Sequence, residues 1–162
     1  MKKDASAPTP VHAWLVMIKA MQAMTRYASA GLEKSGLGDS DFRVLEVLLH
    51  KGPLPVNVIG PKVNLTPGSI SVAVDRLFAK GLVSRAESPK DRRVRVVALT
   101  SRGKGVITPV YRAHVAAIEK AFAALSNDEL RQLETHLKRI GRRAESLFDQ
   151  GVAKRRSAKG RL

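Results

Sequence analysis

Apolar residues recur every three or four positions along most of the chain, which is the spacing of amphipathic helices. On this pattern we predict six helices, over residues 11–34, 42–49, 56–63, 67–80, 101–125 and 126–150. The last helix carries its apolar residues on one stripe, the kind of seam by which one helix packs on another. That stripe consists of Leu130, Leu133, Leu137, Ile140, Ala144 and Leu147. The chain is therefore expected to be mainly α-helical.

Residues that begin and end helices define the fourth helix most clearly. Thr66 is expected to cap its amino end, Pro67 to occupy its first position and Gly81 to end it. Pro61 falls inside the third helix, where a proline removes a backbone hydrogen bond. We therefore expect the third helix to start late or to be kinked.

Three other helices carry similar signals. Asp39 or Ser40 is available to cap the second helix. Ser126 and Glu129 have the spacing of a capping box at the start of the last helix. Pro109 is expected to bend the fifth helix.

Between the fourth and fifth helices the apolar spacing changes from helical to alternating. Residues 81–87 form one short β-prone run, and Val94, Val96 and Ala98 fall on one face of a second run. Residues 88–90, Ser-Pro-Lys, are typical of the turn between two such strands. The pattern predicts a β-hairpin with a basic tip.

The fourth helix divides into two unlike faces when its residues are placed at helical spacing. One face is apolar and suited to a core: Ile70, Ala73, Val74 and Leu77. The other is small and polar near its amino end: Gly68, Ser69, Ser71, Val72, Asp75, Arg76 and Ala79. Two helices, a tight turn, this helix and a basic hairpin occur in the order of a winged helix-turn-helix, whose exposed helix fits a major groove about 12 Å wide.

Composition and charge indicate the kind of partner and exclude cysteine-based sites. The 162 residues suit one folded domain, and a formal charge of +15 favours a polyanionic partner such as DNA. The chain has no cysteine, which excludes disulfides and thiolate metal sites. The amino terminus has Asp4, Pro8 and Pro10 where a signal peptide needs apolar residues, and no segment is apolar enough to span a bilayer. The cytoplasm is the expected location, without a membrane partner.

The segment Leu65–Gly103, LTPGSISVAVDRLFAKGLVSRAESPKDRRVRVVALTSRG, resembles the recognition helix and wing of MarR-type transcriptional regulators. The shared motifs are GSIS, DRL…KGLV.R, the DRR wing tip and the closing LT..G. The resemblance implies a mainly α fold with a small β-wing, in which the first, fifth and sixth helices form a homodimer. The corresponding division of the chain is a flexible leader (1–10), a dimerisation helix (11–38), a winged helix-turn-helix (39–100), dimerisation helices (101–150) and a basic flexible tail (151–162).

The resemblance also implies how double-stranded DNA is contacted. In the family the acid and second arginine of the wing tip act together, so Asp91 would orient Arg93 into the minor groove. Lys90, Arg92 and Arg95 would neutralise phosphates, and Arg76 would contact a phosphate or an intrahelical partner. The remaining residues expected at the DNA belong to the start of the fourth helix: Thr66, Gly68, Ser69 and Ser71.

Regulators of this type often release DNA when a small, frequently aromatic or phenolic, compound binds between the dimer helices and the winged domain. The resemblance therefore implies a stress-responsive repressor with an effector cleft. Candidates for its lining are Trp14, Met17, Met21, Phe42 and Arg43, and the alternative is that these residues form domain and dimer core. No cofactor is implied.

An enzyme and a nonspecific nucleic-acid binder are the competing interpretations. The four histidines lack the spacing of a helical metal pair and are each expected at a surface or helix cap, so neither a catalytic nor a metal site is predicted: His12, His50, His114 and His136. A basic architectural protein would share the charge, but the polar face of the fourth helix favours sequence recognition. Equal affinity for an operator and a scrambled duplex would favour the architectural alternative.

Overall fold

The computed structural model describes residues 8–33, 35–87 and 94–159. These form two compact units, one ending at Ala121 and the other beginning at Phe122. In chain order the elements are α1 Pro10–Glu33, α2 Asp39–Lys51, β1 Leu54–Pro55, α3 Val56–Lys62, α4 Pro67–Ala79, β2 Val83–Glu87, β3 Arg95–Leu99, α5 Ser101–Phe122 and α6 Asn127–Lys159. The predicted mainly α fold with a small β-wing is confirmed.

The three strands form an antiparallel sheet in the order β1-β3-β2. Strands β2 and β3 are the predicted hairpin, whereas β1 was not predicted because it is only two residues long and contains Pro55. Its position at the sheet edge tolerates a proline, which cannot donate a ladder hydrogen bond. In β3 the residue buried in the core is Val97, on the face opposite Val94 and Val96.

The core of the first unit lies between the helix-turn-helix and the sheet. The four residues predicted on the apolar face of α4 are all buried there: Ile70, Ala73, Val74 and Leu77. They pack with apolar residues of α2, α3, β2, β3 and α5: Phe42, Val44, Leu45, Leu48, Ile59, Val83, Val97 and Ile107. This burial fixes the opposite face of α4 towards solvent.

The predicted boundaries of α4 are confirmed at both ends. The Ser69 backbone N–H donates to Thr66 Oγ1 at 3.2 Å, and Pro67 is the first helical residue. Gly81 follows the carboxyl end with a φ of +67°, a backbone conformation that favours glycine. In α3 the expected late start is wrong, because the helix begins at Val56 and keeps Pro61 as its second-last residue.

The predicted side-chain cap of α2 is also wrong. Gly38 is the capping residue, with extended backbone and no side-chain bond to the helix. Asp39 and Ser40 lie inside the first turn, where their side chains have other partners. Asp39 pairs with Arg43 at 2.8 Å, and the Ser40 hydroxyl accepts a hydrogen bond from Arg76 at 3.0 Å.

The second unit consists mainly of α6, and its predicted capping box is confirmed. The Ser126 backbone N–H donates to Glu129 Oε2 at 2.8 Å, and the Glu129 N–H donates to Ser126 Oγ at 3.3 Å. Hydrogen bonds from the Ser126 backbone and hydroxyl lower the pKa of Glu129. The helix continues to Lys159, so the expected end near residue 150 is wrong. The segment after Gly151 is rich in alanine, lysine and arginine, which favour helix.

None of the helices described within residues 8–159 is long and apolar enough to cross a membrane.

Candidate nucleic-acid interface

The exposed face of α4 begins with a group of three hydroxyls. Thr66 Oγ1 and Ser69 Oγ lie 2.8 Å apart in a hydrogen bond, and Ser71 Oγ donates to the Pro67 carbonyl at 3.0 Å. The outward residues predicted for this face are all exposed: Gly68, Ser69, Ser71, Val72, Asp75, Arg76 and Ala79. The structure thus presents a narrow helical surface of small side chains, whose hydroxyls already have partners within α4.

An ion pair between the exposed Arg76 and a buried carboxylate anchors this helix to α2. The Arg76 Nε donates to both carboxylate oxygens of Asp41, at 2.9 and 3.0 Å, and the Asp41 side chain is only 1% exposed. Lys80 Nζ lies 3.5 Å from the same carboxylate. The hydrogen bond to Asp41 raises the pKa of Arg76, which remains charged throughout the physiological range.

This geometry corrects the expectation for Arg76. Its partner within the chain is not intrahelical: the guanidinium is bound bidentately by a carboxylate of another helix, and a phosphate contact stays a prediction. No sequence pattern indicates this pair, because an acid in the first turn of a helix is usually explained by the helix dipole and exposed to solvent.

We expect Arg76→Ala to lower the free energy of unfolding by about 3 kcal/mol, because it leaves the buried Asp41 carboxylate with only Lys80 nearby. Urea unfolding monitored by circular dichroism measures the change. The matched control is Arg43→Ala, which breaks the exposed pair with Asp39 and should cost less than about 1 kcal/mol. Equal stability losses in the two variants would contradict an anchoring role for Arg76.

The wing tip falls outside the described residues, and with it four of the predicted DNA contacts: Lys90, Asp91, Arg92 and Arg93. Arg95 lies at the base of the wing and pairs across the hairpin with Glu87 at 3.4 Å. Both side chains are exposed, so Arg95 keeps access to solvent although a carboxylate offsets part of its charge.

Arg95 and Ser71 both line a surface depression of about 640 Å³. Its lining comes from α3, the start of α4 and the start of β3: Val56, Asn57, Gly60, Pro61, Leu65, Pro67, Ile70, Ser71, Val94 and Arg95. The start of α4 and the base of the wing therefore border the same depression.

Arg85 joins the wing to α4 and was not predicted as a site residue. It extends from β2, forms an ion pair with Asp75, and places its guanidinium carbon 4.8 Å from the centre of the Phe78 ring. Its Nε is buried and has no hydrogen-bond partner among the described residues. The motif KGLV.R includes this arginine, but only the fold shows that it contacts α4.

We expect Arg85→Ala to lower the free energy of unfolding by about 1–2 kcal/mol, through loss of the cation–π contact and the partly exposed ion pair. Thermal unfolding is the measurement. Arg95→Ala is the matched control, since it removes an arginine from the opposite strand whose pair is exposed, and should change stability by less than about 0.5 kcal/mol. If Arg85→Lys is as stable as the native protein, the contact of the planar guanidinium with the Phe78 ring is not what joins β2 to α4.

The candidate effector residues do not share one environment. Trp14 and Met21 are 56% and 65% exposed on α1, and Met17 is half-buried. Phe42 is buried, with its ring 4.7 Å from that of His114, and this position fits the alternative that it forms domain core. Arg43, which pairs with Asp39, also donates to the Val63 carbonyl at 3.4 Å.

The histidines differ in part from the surface or cap positions expected of them. His114 is half-buried between Phe42 and the Ala28 carbonyl, 3.4 Å from its Nδ1. His50 is exposed and packs edge-on against Tyr111. Within the described ranges no group of three or more acids or histidines is arranged to hold a metal ion.

A helix-turn-helix formed by α3 and α4, with an exposed second helix beside a β-hairpin, defines a winged-helix DNA-binding protein. Comparison with known families identifies the class more closely. The MarR family model matches residues 35–94. The HTH-type transcriptional regulator MhqR of Bacillus subtilis is 34% identical over 137 residues, covering 85% of this chain and 94% of that protein.

Solved structures agree on the fold. AbsC, a MarR family transcriptional regulator from Streptomyces coelicolor, superposes with a TM-score of 0.76 at 23% identity, over 85% of this chain and 97% of that one. NadR in complex with 4-hydroxyphenylacetate gives a TM-score of 0.68 at 18% identity, over 86% and 97% of the two chains. The chain belongs to the MarR family. It is a winged-helix transcriptional regulator and not an enzyme.

Proposed function

We propose that the protein is a repressor that binds an inverted-repeat operator as a homodimer and is released by a small aromatic or phenolic compound. The observation that carries this proposal is the exposed outer face of α4, held beside the wing base by Arg85. A formal charge of +15 supports DNA as the partner of this face.

The contacts that we propose divide into two kinds. Backbone phosphates are bound by the amino end of α4, near Thr66, and by the basic residues of the wing. Base edges are contacted from the outer face of α4, with Gly68, Ser69 and Ser71 nearest the amino end. For the wing tip we propose that Asp91 orients Arg93 into the minor groove, where negative potential is concentrated.

Apolar residues left exposed in the single chain support a homodimer. On α1 they include Val11, Trp14, Leu15 and Met21, and on α6 they include Leu133, Leu137, Ile140, Leu147 and Phe148. A monomer that left both helices uncovered would expose more apolar surface than monomeric proteins usually do. We therefore propose that α1, α5 and α6 supply the dimer interface, and that residues 39–100 supply the DNA-binding region.

The effector is proposed from a structural neighbour and from residues of α1 and α2. NadR has been solved with 4-hydroxyphenylacetate bound, which supports a phenolic compound for this chain also. Trp14, Met17 and Met21 offer aromatic and thioether surface on α1, and Arg43 offers a cation on α2. Control by such a compound would suit a stress response.

Selection from random duplexes tests the proposed function. The native protein should enrich an inverted repeat whose half-sites are about 34–36 Å apart, one turn of DNA. At equal salt, a scrambled duplex should bind at least about 1,000-fold more weakly than the selected one. 4-Hydroxyphenylacetate is the first effector probe, and it should lower the affinity for the selected duplex. Equal affinity for both duplexes would replace this proposal with an architectural nucleic-acid binder.

A further inference from the structure

We propose that Val72 recognises the C5-methyl group of a thymine in each operator half-site. This inference rests on the proposed function, because it assumes that α4 enters a major groove. Val72 was placed on the outer face by its spacing but was not among the predicted DNA-binding residues. The structure gives it a particular position there.

Val72 lies at the centre of the outward surface of α4. Its side chain is 59% exposed, although valine is a residue that proteins usually bury. At helical spacing it lies nearly opposite the buried residues Ile70 and Leu77, between Gly68 and Ala79 along the helix. An added Cβ at Gly68 would meet nothing within 4 Å, so the surface beside Val72 is open.

The polar side chains around Val72 are already engaged within the protein. The hydroxyls of Ser69 and Ser71 bond to Thr66 and to the Pro67 carbonyl. Arg76 is bound to Asp41 and Asp75 to Arg85. Among the described residues of this face, those without a hydrogen-bonding side chain are Gly68, Val72 and Ala79. They lie along its centre, and Val72 has the largest side chain of the three.

An exposed isopropyl group has one matching partner in the major groove. The edges of adenine, guanine and cytosine present hydrogen-bond donors and acceptors, whereas thymine adds a methyl group. Contact between Val72 and this methyl buries apolar surface of both partners. Cytosine or a purine at the same place would leave a polar edge against the isopropyl group without a hydrogen bond.

The test replaces single thymines of the selected operator with deoxyuridine, which removes only the methyl group. For the native protein, one position in each half-site should show about fourfold weaker binding, and about fifteenfold when both half-sites are changed. For Val72→Ala the same replacement should have no effect. Val72→Thr, which keeps the shape of the side chain, should keep part of the discrimination.

Control measurements distinguish failure of the Val72 assignment from failure of the proposed function. Val58→Ala shortens another exposed valine, on α3, and should keep the full response to deoxyuridine. Thermal unfolding of Val72→Ala should match that of the native protein, because the side chain is not in the core. If selection enriches no sequence, the proposed function fails. If it enriches an operator but deoxyuridine acts equally on the native protein and Val72→Ala, or on neither, only the assignment of Val72 is overturned.

Discussion

Gly103→Ala is expected to destabilise the first unit by more than about 4 kcal/mol, an exceptional loss for the addition of one methyl group. A Cβ at this position would lie 1.9 Å from the Leu82 carbonyl oxygen and 2.9 Å from its carbon. Both are backbone atoms, so no rotamer change relieves the clash. The Thr100 N–H donates to the same Leu82 oxygen at 3.1 Å, and the Gly103 N–H donates to Thr100 Oγ1 at 2.9 Å. Moving α5 away from Leu82 would break the bond between the Thr100 N–H and the Leu82 oxygen.

Gly105→Ala is the matched control because it makes the same change two residues later in α5. Apart from the adjoining backbone of α5, no atom of the described residues lies within 4 Å of a Cβ there, and alanine is favoured over glycine inside a helix by about 0.5–1 kcal/mol. The midpoint of urea unfolding should therefore fall in Gly103→Ala and rise in Gly105→Ala. A Gly103→Ala protein as stable as the native one would contradict the close approach of α5 to the Leu82 carbonyl.

Leu137→Glu is expected to dissociate the proposed homodimer and to abolish tight operator binding. Leu137 lies on the apolar stripe of α6 and is 43% exposed in the single chain. If a partner covers this stripe, each glutamate would be buried without a counter-charge, at a cost of about 3–5 kcal/mol. Sedimentation velocity should show the native protein as a dimer and the variant as a monomer, with at least about 100-fold weaker binding to the selected duplex.

The control for this variant is Gln132→Glu, which adds the same charge to an exposed position of α6 outside the apolar stripe. It should sediment as a dimer and bind the selected duplex with an affinity close to that of the native protein. A native protein that sediments as a monomer at micromolar concentration and still binds the selected duplex tightly would exclude the dimer.

Local signals predicted those parts of the fold that depend on neighbours in sequence. Thr66, Pro67 and Gly81 define α4 through its own backbone, and the Ser126–Glu129 box starts α6 in the same way. Each of these residues acts on backbone groups only a few positions away, so its effect can be predicted from the local sequence. The face of α4 towards solvent followed from helical spacing alone.

The parts that were missed depend on contacts between distant residues. The two residues of β1 are extended because β3 pairs with them, and no pattern of two residues indicates a strand. Asp41 is buried because Arg76, 35 positions away, reaches it, and Arg85 contacts α4 only after the hairpin has packed. Gly103 belongs to the family motif, but the reason that glycine is needed there is the nearby Leu82 carbonyl, which only the fold shows.

The Asp41–Arg76 pair holds α4 from the side that faces α2, and this leaves the outermost positions of α4 without a part in folding. Gly68, Val72 and Ala79 are exposed, and their replacement breaks none of the described ion pairs. If α4 contacts the operator as we propose, mutations at these three codons after gene duplication would change operator preference in one copy while the protein still folds. The same codons are the places to randomise when a laboratory library seeks regulators with new target sequences.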